Sequence, residues 1–376
     1  MWKAYLIEIM TGRVGAEVEM STNGRLDITL NRAGSATVTV QKSSLEGIPS
    51  RWFRPWAHGF LLTLEVQGDE VPVFAGPITA PPDEYVESLS FSVSGIRAIF
   101  EYRIALAEDF SSSEINALRK SKLVYKDISL AGIAHDLVRK GMAKRGGSLP
   151  IRIVTPPGPG NHTRTYDGYD VQNNNIDKRL TELSDVIGGP DIMFYPEWVD
   201  GSRSLIRWAM RTGTPGYAAI SQSWTMVIDA GAPEPQVSEL SMNVDGSHYG
   251  TRAYTTGTGE GAGLLVRIHD AVGLLADSHP LLETVDSYPS VSRGETLSDY
   301  ARTHTSIRPR VELHATIDIT DVRSPYGQWL VGHNAIVKPG PWHTIHDVEK
   351  PLRILRMTGD LDSPHMTLYF QEEPAW

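Results

Sequence analysis

The sequence contains no cysteine among its 376 residues. This excludes a disulfide framework and a thiolate zinc site, and it favours assembly in a reducing cytoplasm. No stretch approaches the ~20 apolar residues that a membrane-spanning helix needs. The N-terminal segment MWKAYLIEIMTG is interrupted by Glu8. It is too short for a signal peptide and has the pattern of a strand.

Basic residues are in the minority. The 35 Lys and Arg residues against 45 Asp and Glu residues give a formal net charge of −10. This balance argues against a general nucleic-acid binder, which would carry a basic excess. The hydrophobic fraction of 40% is sufficient for a core, and the length predicts two to four domains.

Alternation of apolar and polar residues predicts antiparallel β structure in the first hundred residues. Leu26, Ile28 and Leu30 alternate with polar neighbours, as expected for a half-buried strand. Two further strands are predicted at residues 60–66 and 71–79, joined by the hairpin loop QGDE. Sequential strands with short turns are typical of a barrel or a sandwich.

The middle of the chain has helical periodicity. Ser129 is a good N-cap for a helix that ends near Met142. Asn174 or Asn175 begins a second helix, whose apolar stripe consists of Ile176, Leu180, Leu183 and Ile187. Strands are predicted at 192–198 and 204–210. We therefore expect residues 104–215 to be an inserted α+β domain with a core of its own.

The β pattern returns after Pro235 and continues to the end of the chain. A short helix is predicted at residues 295–302, and two strands are predicted within residues 353–370. Residues 311–319 contain five consecutive apolar alternations, which is the clearest strand pattern in the sequence.

The glycine-rich segment TTGTGEGAG, residues 255–263, matches the loose pattern G-x-G-x-x-A. A dinucleotide-binding turn needs a buried strand before this pattern and a helix after it, within a βαβ unit. No such alternation surrounds the segment. We therefore favour a loop between strands, near a subunit or tail contact, over a nucleotide site. Its candidate interface residues are Gly257, Gly259, Gly261 and Gly263.

The remaining motifs do not meet the geometric requirements of catalysis. Ser247 and His248 are adjacent, so a strand would direct them to opposite faces. Glu312 and Asp318 share one face of a predicted strand, but six residues separate them by about 20 Å, too far for a glycosidase pair.

The sequence evidence for a metal site or a base-stacking site is equally weak. The best metal candidates, His343, His346 and Asp347, lie between prolines without a helical stripe or an H-E-x-x-H motif. Trp52, Phe53 and Trp56 indicate a packing or interface cluster, and the neighbouring Arg51 and Arg54 leave base stacking open. The sequence therefore predicts no catalytic, cofactor-binding or metal-binding residue, and no enzymatic activity.

The order of five segments resembles the tail hub, or minor tail, proteins of long-tailed bacteriophages, which are related to the baseplate hub of contractile-tailed phages. The segments are TNGRLDITLNRAGSATVTVQ, EVQGDEVPVFAGPITAP, YDVQNNNIDKRLTELSDVIGGPDIMFYPEW, VSELSMNVDGSHYGTRAYTTGTGEG and ETLSDYARTHTSIRPRVELHATIDI. Each segment is weakly specific by itself, and their order carries the resemblance. The chain departs from the family at Gly332-His333-Asn334, where the family often has Gly-Asp.

This resemblance implies a mainly β fold with an α+β insertion, which consists of two small β-barrel domains of the tail-hub type and two accessory domains. The implied division is a barrel at 1–103, the insertion at 104–215, a second barrel region with a short helix at 216–345, and C-terminal strands at 346–376. Because the chain ends at Trp376, we expect no appended lysin or fibre domain.

The resemblance also implies a structural role at the tail tip of the virion, after assembly in the host cytoplasm. A homotrimeric ring would close the tail tube and leave a channel for DNA ejection. Its partners would be the distal tail or tail tube protein, the C-terminus of the tape-measure protein, and tip fibre or receptor-binding proteins. Phage DNA would be present only in transit. The alternatives are a carbohydrate-active or carbohydrate-binding β-protein and a nucleotide-dependent enzyme.

Overall fold

The computed structural model describes residues 1–21, 24–186, 188–245, 250–276, 279–289, 291–306, 310–338, 340, 351–371 and 373–374. They form two compact units. The first is built from Met1–Glu239, Ala315–Gly340 and the described part of Glu349–Tyr369, and the second mainly from Leu240–His314. A membrane-crossing helix, which needs both length and apolar composition, is absent from the described part of the chain.

The first hundred residues are mostly β structure. The strands are β1 Trp2–Glu8, β2 Val14–Val18, β3 Arg25–Thr29, β4 Ser35–Gln41, β5 His58–Val66, β6 Asp69–Pro77, β7 Asp83–Glu84 and β8 Ser88–Ser94, with short 3-10 helices at Lys42–Leu45, Ser50–Phe53 and Ile96–Tyr102. An antiparallel sheet has the order β2-β1-β5-β6. The predicted hairpin between β5 and β6 is confirmed, and it turns through Gln67 and Gly68, whose φ angles are 53° and 84°.

The next segment mixes helices and strands as predicted. It contains a 3-10 turn at Ser112–Glu114, α1 Ile115–Lys120, β9 Lys122–Ile128, α2 Leu130–Ala143, β10 Ile151–Ile153, β11 His162–Asp167, α3 Ile176–Ser184, β12 Ile192–Trp198 and β13 Ile206–Thr212. The Ser129 hydroxyl accepts a hydrogen bond from the Gly132 N–H at 3.0 Å and caps α2. Asn175 caps α3 in the same way, through Lys178 N–H at 2.9 Å. Ile187 lies outside the described residues.

The remaining elements are again mostly strands. They are β14 Met226–Asp229, β15 Val237–Asp245, β16 Arg252–Thr256, a 3-10 turn at Gly261–Gly263, β17 Val266–Asp270, α4 Val272–Ala276, β18 Glu283–Ser287, α5 Gly294–Ser306, β19 Arg310–Asp318, β20 Asn334–Lys338, β21 Pro351–Asp360, β22 His365–Phe370 and β23 Glu373–Pro374. The helix predicted at 295–302 and the strand predicted at 311–319 are confirmed, with ends that differ by a few residues.

A large sheet in the first unit joins the two ends of the chain. Its order is β22-β21-β3-β4-β8-β7, with β20 beside β21 and β14 parallel to β20. The register between β21 and β3 pairs Met357 with Ile28. The mainly β class is therefore confirmed. Within the described residues no sheet closes into a barrel, so the two-barrel arrangement stays a prediction.

The expectation of a separate core for residues 104–215 is wrong. Leu61 and Phe100 lie in one continuous buried cluster with Leu137 and Trp208. The Trp208 indole N–H donates to the Ala75 carbonyl at 3.1 Å, which ties β13 to β6. Because α3 packs against the 3-10 helix Ile96–Tyr102 and β12 packs against β6, the segment shares that core instead of enclosing one.

Candidate interface surfaces

The glycine-rich loop is a hairpin connection in the second unit. Residues 257–265 join β16 to β17, which pair antiparallel from Thr256 opposite Val266 to Arg252 opposite Asp270. A dinucleotide turn instead leads from a strand into a helix whose N-terminus faces the pyrophosphate. The loop is therefore the strand-to-strand connection that we favoured from the sequence. Its role as an interface stays a prediction.

Three of the four glycines in this loop are required by its shape. A Cβ on Gly257 would lie 2.4 Å from the Val291 carbonyl oxygen, and one on Gly259 would lie 2.3 Å from the Gly263 carbonyl oxygen. Gly259 and Gly261 also have positive φ angles of 113° and 57°. Nothing lies within 4 Å of a Cβ on Gly263. The tip from Gly259 to Leu264 is exposed.

The loop belongs to a three-stranded sheet with the order β17-β16-β18. Helix α5 covers one of its faces. The Thr255 hydroxyl donates to the Leu297 carbonyl at 2.8 Å, His269 Nδ1 lies 2.5 Å from Thr305 Oγ1, and His304 lies 3.5 Å from Asp286. These contacts occupy the side chains that point to α5.

The opposite face of this sheet carries a row of apolar side chains. Ile268 on β17 and Val285 on β18 both lie opposite Tyr254 on the central strand, so all three point to the same face. Ile268 is 57% exposed and Val285 is 71% exposed. We call Tyr254, Val266, Ile268 and Val285 the outer apolar row. Single exposed apolar residues are common, but an aligned row across three strands is a candidate contact surface.

A charged network borders one end of this row. Arg252 donates to Asp270 through Nε to Oδ1 at 2.5 Å and through Nη2 to Oδ2 at 3.0 Å, and it lies 3.8 Å from Glu283. The Tyr254 hydroxyl donates to Glu283 at 2.8 Å. The hydrogen bond from Arg252 lowers the pKa of Asp270. With the glycine loop at the other end, the row has the apolar centre and polar rim of a protein interface.

Sequence reasoning missed the outer apolar row because the alternation in β17 is inverted. Apolar residues of a strand normally face the core, but here Val266 and Ile268 face outward. Arg267 and His269 face α5: the Arg267 guanidinium fills the space beside Gly294, and His269 contacts Thr305. The available signal was the alternation of Val266 and Ile268 with Arg267 and His269. The usual rule for a half-buried strand places the apolar pair of such a pattern on the buried face, which is wrong here.

The aromatic cluster predicted from the sequence divides in two. Phe53 packs on Phe91 at a centroid distance of 5.3 Å, which is a core contact. Trp52 packs on His58 at 5.0 Å, and Trp56 meets Tyr102 edge-on at 4.9 Å. Both tryptophans are half-buried and border solvent.

The other residues singled out from the sequence do not assemble into a site. Glu312 and Asp318 both lie on β19, but each has a local partner: His314 lies 3.4 Å from Glu312, and the Thr320 hydroxyl donates to Asp318 at 2.6 Å. Ser247, His248, His343, His346 and Asp347 lie outside the described residues. Among the described residues, no group of three or more His, Asp or Glu side chains is arranged to hold a metal ion.

The departure at Gly332-His333-Asn334 is accommodated by a regular turn. Gly332 has a φ angle of 98°, and its N–H donates to the Ile354 carbonyl at 2.8 Å. His333 accepts at its carbonyl from the Ile354 N–H at 2.9 Å, and its ring is buried. The substitution therefore leaves the pairing between this turn and β21 intact.

Comparisons with known proteins give a clear result for structure and none for sequence. No family profile matches the chain, and no curated protein matches it. A tail protein from Neisseria meningitidis MC58 superposes with a TM-score of 0.55 at 12% identity, over 99% of this chain and 96% of its own. The 43 kDa tail protein of prophage MuSo2 from Shewanella oneidensis gives 0.52 at 9% identity, over 99% and 98%.

The chain has the fold of phage tail proteins. The resemblance stated from the sequence is confirmed at this level. A chain of the Francisella PdpA–VgrG complex also matches, with a TM-score of 0.51 at 7% identity, over 100% of this chain and 58% of that chain. The fold is therefore similar to part of that longer chain.

Proposed function

We propose that the chain is a structural hub, or baseplate hub, at the tip of a phage tail. The observation that carries this proposal is the superposition on two tail proteins over nearly their entire lengths. Because each superposition covers 99% of this chain, the likeness is not confined to one segment of it. The candidate surfaces of the second unit supply places for contact with other tail proteins.

In this proposal three chains form a ring that closes the tail tube. Residues 1–103 and 216–345 are the two barrel-type domains of each chain, residues 104–215 are the insertion, and residues 346–376 are C-terminal strands. Three chains with two similar domains each present six similar units, which suits the adaptation of a sixfold tube to a threefold tip. The ring surrounds a channel through which DNA passes at ejection.

The partners follow from the position in the virion. The distal tail protein or tail tube lies above the ring, the tape-measure C-terminus occupies its lumen, and fibre or receptor-binding proteins lie below. We assign assembly to the host cytoplasm. The glycine loop and the outer apolar row are the surfaces of the second unit that suit such neighbours, because each combines exposure with a fixed backbone.

Electron microscopy of the purified particle tests this function. We expect three copies of the chain around the tail axis at the tip, immediately below the tube. Two or four copies, or copies wrapped around the outside of the tube, would contradict the proposal.

An enzyme assay tests the competing class of function. Purified protein is incubated with host peptidoglycan and with a panel of polysaccharides, and products are measured by mass spectrometry. We expect no turnover. Turnover that is lost in Glu312→Gln or Asp318→Asn would assign the chain to the carbohydrate-active alternative.

A further inference from the structure

The sheet β2-β1-β5-β6 of the first unit carries opposite surface chemistry at its two ends. We call the first the basic–aromatic end and define it by Arg13, Arg51, Trp52, Arg54 and Trp56. The second is an open cleft at the other end of β1, which we call the acidic cleft.

The basic–aromatic end is held in shape by its own contacts. The Arg13 guanidinium lies over the Trp52 ring at 5.3 Å. Trp56 has a φ angle of 63°, which is uncommon for a side chain of this size. Its conformation is fixed because its N–H donates to the Ile78 carbonyl at 2.8 Å and His58 N–H donates to the Arg54 carbonyl at 3.1 Å. Backbone held in this way is frequent at binding surfaces.

Positive charge converges on this end. Arg51 and Arg54 are exposed, and Arg13 is 56% exposed. One carboxylate contacts these arginines: Glu8 accepts a hydrogen bond from the Arg13 guanidinium. Burial lowers the pKa of His58, and Arg54, Arg13 and Arg51 lower it further against the opposing effect of Glu8. Aromatic rings with arginines between them are the side chains that dominate protein interfaces.

The acidic cleft has the complementary composition. It encloses about 1030 Å³ beside the β5–β6 hairpin. Its exposed carboxylates are Glu17, Glu19, Glu65 and Asp362. Lys3, the basic side chain in its lining, lies 3.5 Å from Glu70. Val322, 75% exposed, supplies apolar surface at the rim.

The distance between the two surfaces prevents one chain from joining its own ends. Trp2 lines the cleft and Glu8 contacts Arg13, so β1 runs from one surface to the other. Six residue steps along a strand cover about 20 Å. A second copy of the chain, however, presents a cleft to the basic–aromatic end of the first.

We infer that the basic–aromatic end of one copy docks into the acidic cleft of the next copy, head to tail. A twofold contact that paired like ends would place arginines against arginines, which is unfavourable. A head-to-tail contact uses two different surfaces and makes a ring when its rotation closes. Nucleic acid is the weaker candidate for the arginines, because the chain carries a net charge of −10 and itself provides the complementary surface. The inference rests on the proposed ring and names the contact that builds it.

Disulfide trapping tests the contact. Because the chain has no native cysteine, a disulfide can form only between the introduced residues. Arg51→Cys and Glu65→Cys are combined in one chain, since both positions are exposed. Under mild oxidation we expect covalent multimers that stop at a closed trimer. The matched control combines Glu65→Cys with Arg119→Cys, an exposed arginine on α1. Multimers no more abundant than in this control would overturn the inference.

Charge reversal tests whether the basic–aromatic end of one copy meets the acidic cleft of the next. Arg54→Glu and Glu65→Arg should each weaken self-association at least tenfold in sedimentation velocity. Mixing the two variants should restore association at a 1:1 ratio of the variants, because the basic–aromatic end of each variant is then complementary to the cleft of the other. Combining both reversals in one chain should restore self-association. A mixture that behaves as the separate variants do would contradict a head-to-tail contact.

The failures of the inference and of the hub proposal are distinguishable. Three copies at the tail tip without trapped multimers would leave the hub and remove this contact. Trapped chains longer than three copies would establish the contact and contradict a closed trimer. A single-stranded oligonucleotide that binds the wild type but not Arg54→Glu, together with control levels of trapping, would assign the arginines to nucleic acid and overturn the inference.

Discussion

At the scale of single residues, the backbone around Gly257 leaves no room for a side chain. We expect Gly257→Ala to destabilise the sheet of the second unit by about 1–3 kcal/mol, because its Cβ would overlap a carbonyl oxygen that is itself hydrogen-bonded within the structure. The Val291 carbonyl that it would approach accepts from Thr258 N–H at 2.9 Å. Amide hydrogen exchange of β16 and β17 measures the change directly.

Gly263→Ala is the matched control for this prediction. Its Cβ would meet nothing within 4 Å, so we expect a change within about 0.5 kcal/mol. Equal protection factors in the two variants would show that the packing at Gly257 does not constrain the loop.

A buried histidine predicts acid sensitivity. His135 is fully buried in α2, with Nε2 3.1 Å from Thr212 Oγ1. Burial lowers its pKa to about 4, whereas an unfolded histidine titrates near 6.5. Between these values the unfolded chain binds a proton that the folded chain does not. The contribution of neutral His135 to the free energy of unfolding is therefore fully present above pH 6.5. It falls, by up to about 3 kcal/mol, as the pH decreases to 4.

Urea unfolding at pH 7, 5.5 and 4.5 measures this dependence. In His135→Gln we expect a smaller loss of stability on acidification, because one of the titrating groups is gone. Leu137→Val in the same helix is the control, since it lowers stability without removing a titrating group. An unchanged pH dependence in His135→Gln would show that burial does not lower the pKa of His135 in the folded protein.

At the scale of elements, local signals were sufficient for helices with caps and for strands with one buried face. Ser129 and Asn175 begin α2 and α3 because their side chains accept from backbone N–H groups that the first turn leaves unpaired. The hairpin between β5 and β6 followed from its glycine and from the apolar runs on both sides. These features depend on neighbours in sequence, so the sequence contains them.

Long-range pairing was not predictable from the sequence. The pairing of β21 with β3 and the parallel pairing of β14 with β20 join residues that are far apart in the chain. No local pattern selects one partner strand over another with the same alternation. The same limit explains β17, where Arg267 and His269 gain contacts with α5 that reverse the usual orientation of the strand.

The outer apolar row gives a prediction at this scale. Val285→Asp should fold normally, with a change in stability within about 0.5 kcal/mol, because the side chain is 71% exposed. Incorporation into the phage tail should fall at least tenfold, since a charge at the centre of an apolar contact is left without a partner. Complementation of a phage that lacks the gene measures this incorporation.

Val86→Asp is the control for the outer apolar row. Val86 is 93% exposed and lies between β7 and β8 in the first unit. We expect it to leave both stability and incorporation unchanged. Equal incorporation of the two variants would show that the outer apolar row makes no contact in the particle.

At the scale of the whole molecule, the distribution of charge is as informative as the fold. The chain carries −10, yet the first unit concentrates three arginines at one end of a sheet and four carboxylates at the other. Separation of this kind directs association more than it adds affinity. The net charge of −10 also matters for a protein through which DNA is proposed to pass.

The last prediction concerns that DNA. Three chains together carry a net charge of −30, three times the −10 of one chain, and we propose that part of it lines the channel. Like charge prevents a polyanion from adhering to the wall during ejection.

We expect no binding of double-stranded DNA at ~0.15 M salt, where exposed charges still interact over about 8 Å. Fluorescence anisotropy with a labelled duplex, titrated with protein to high micromolar concentration, measures this. Micromolar binding that weakens steeply with salt would reveal several phosphate contacts and would contradict a non-adhesive channel, while leaving the copy number at the tail tip untouched.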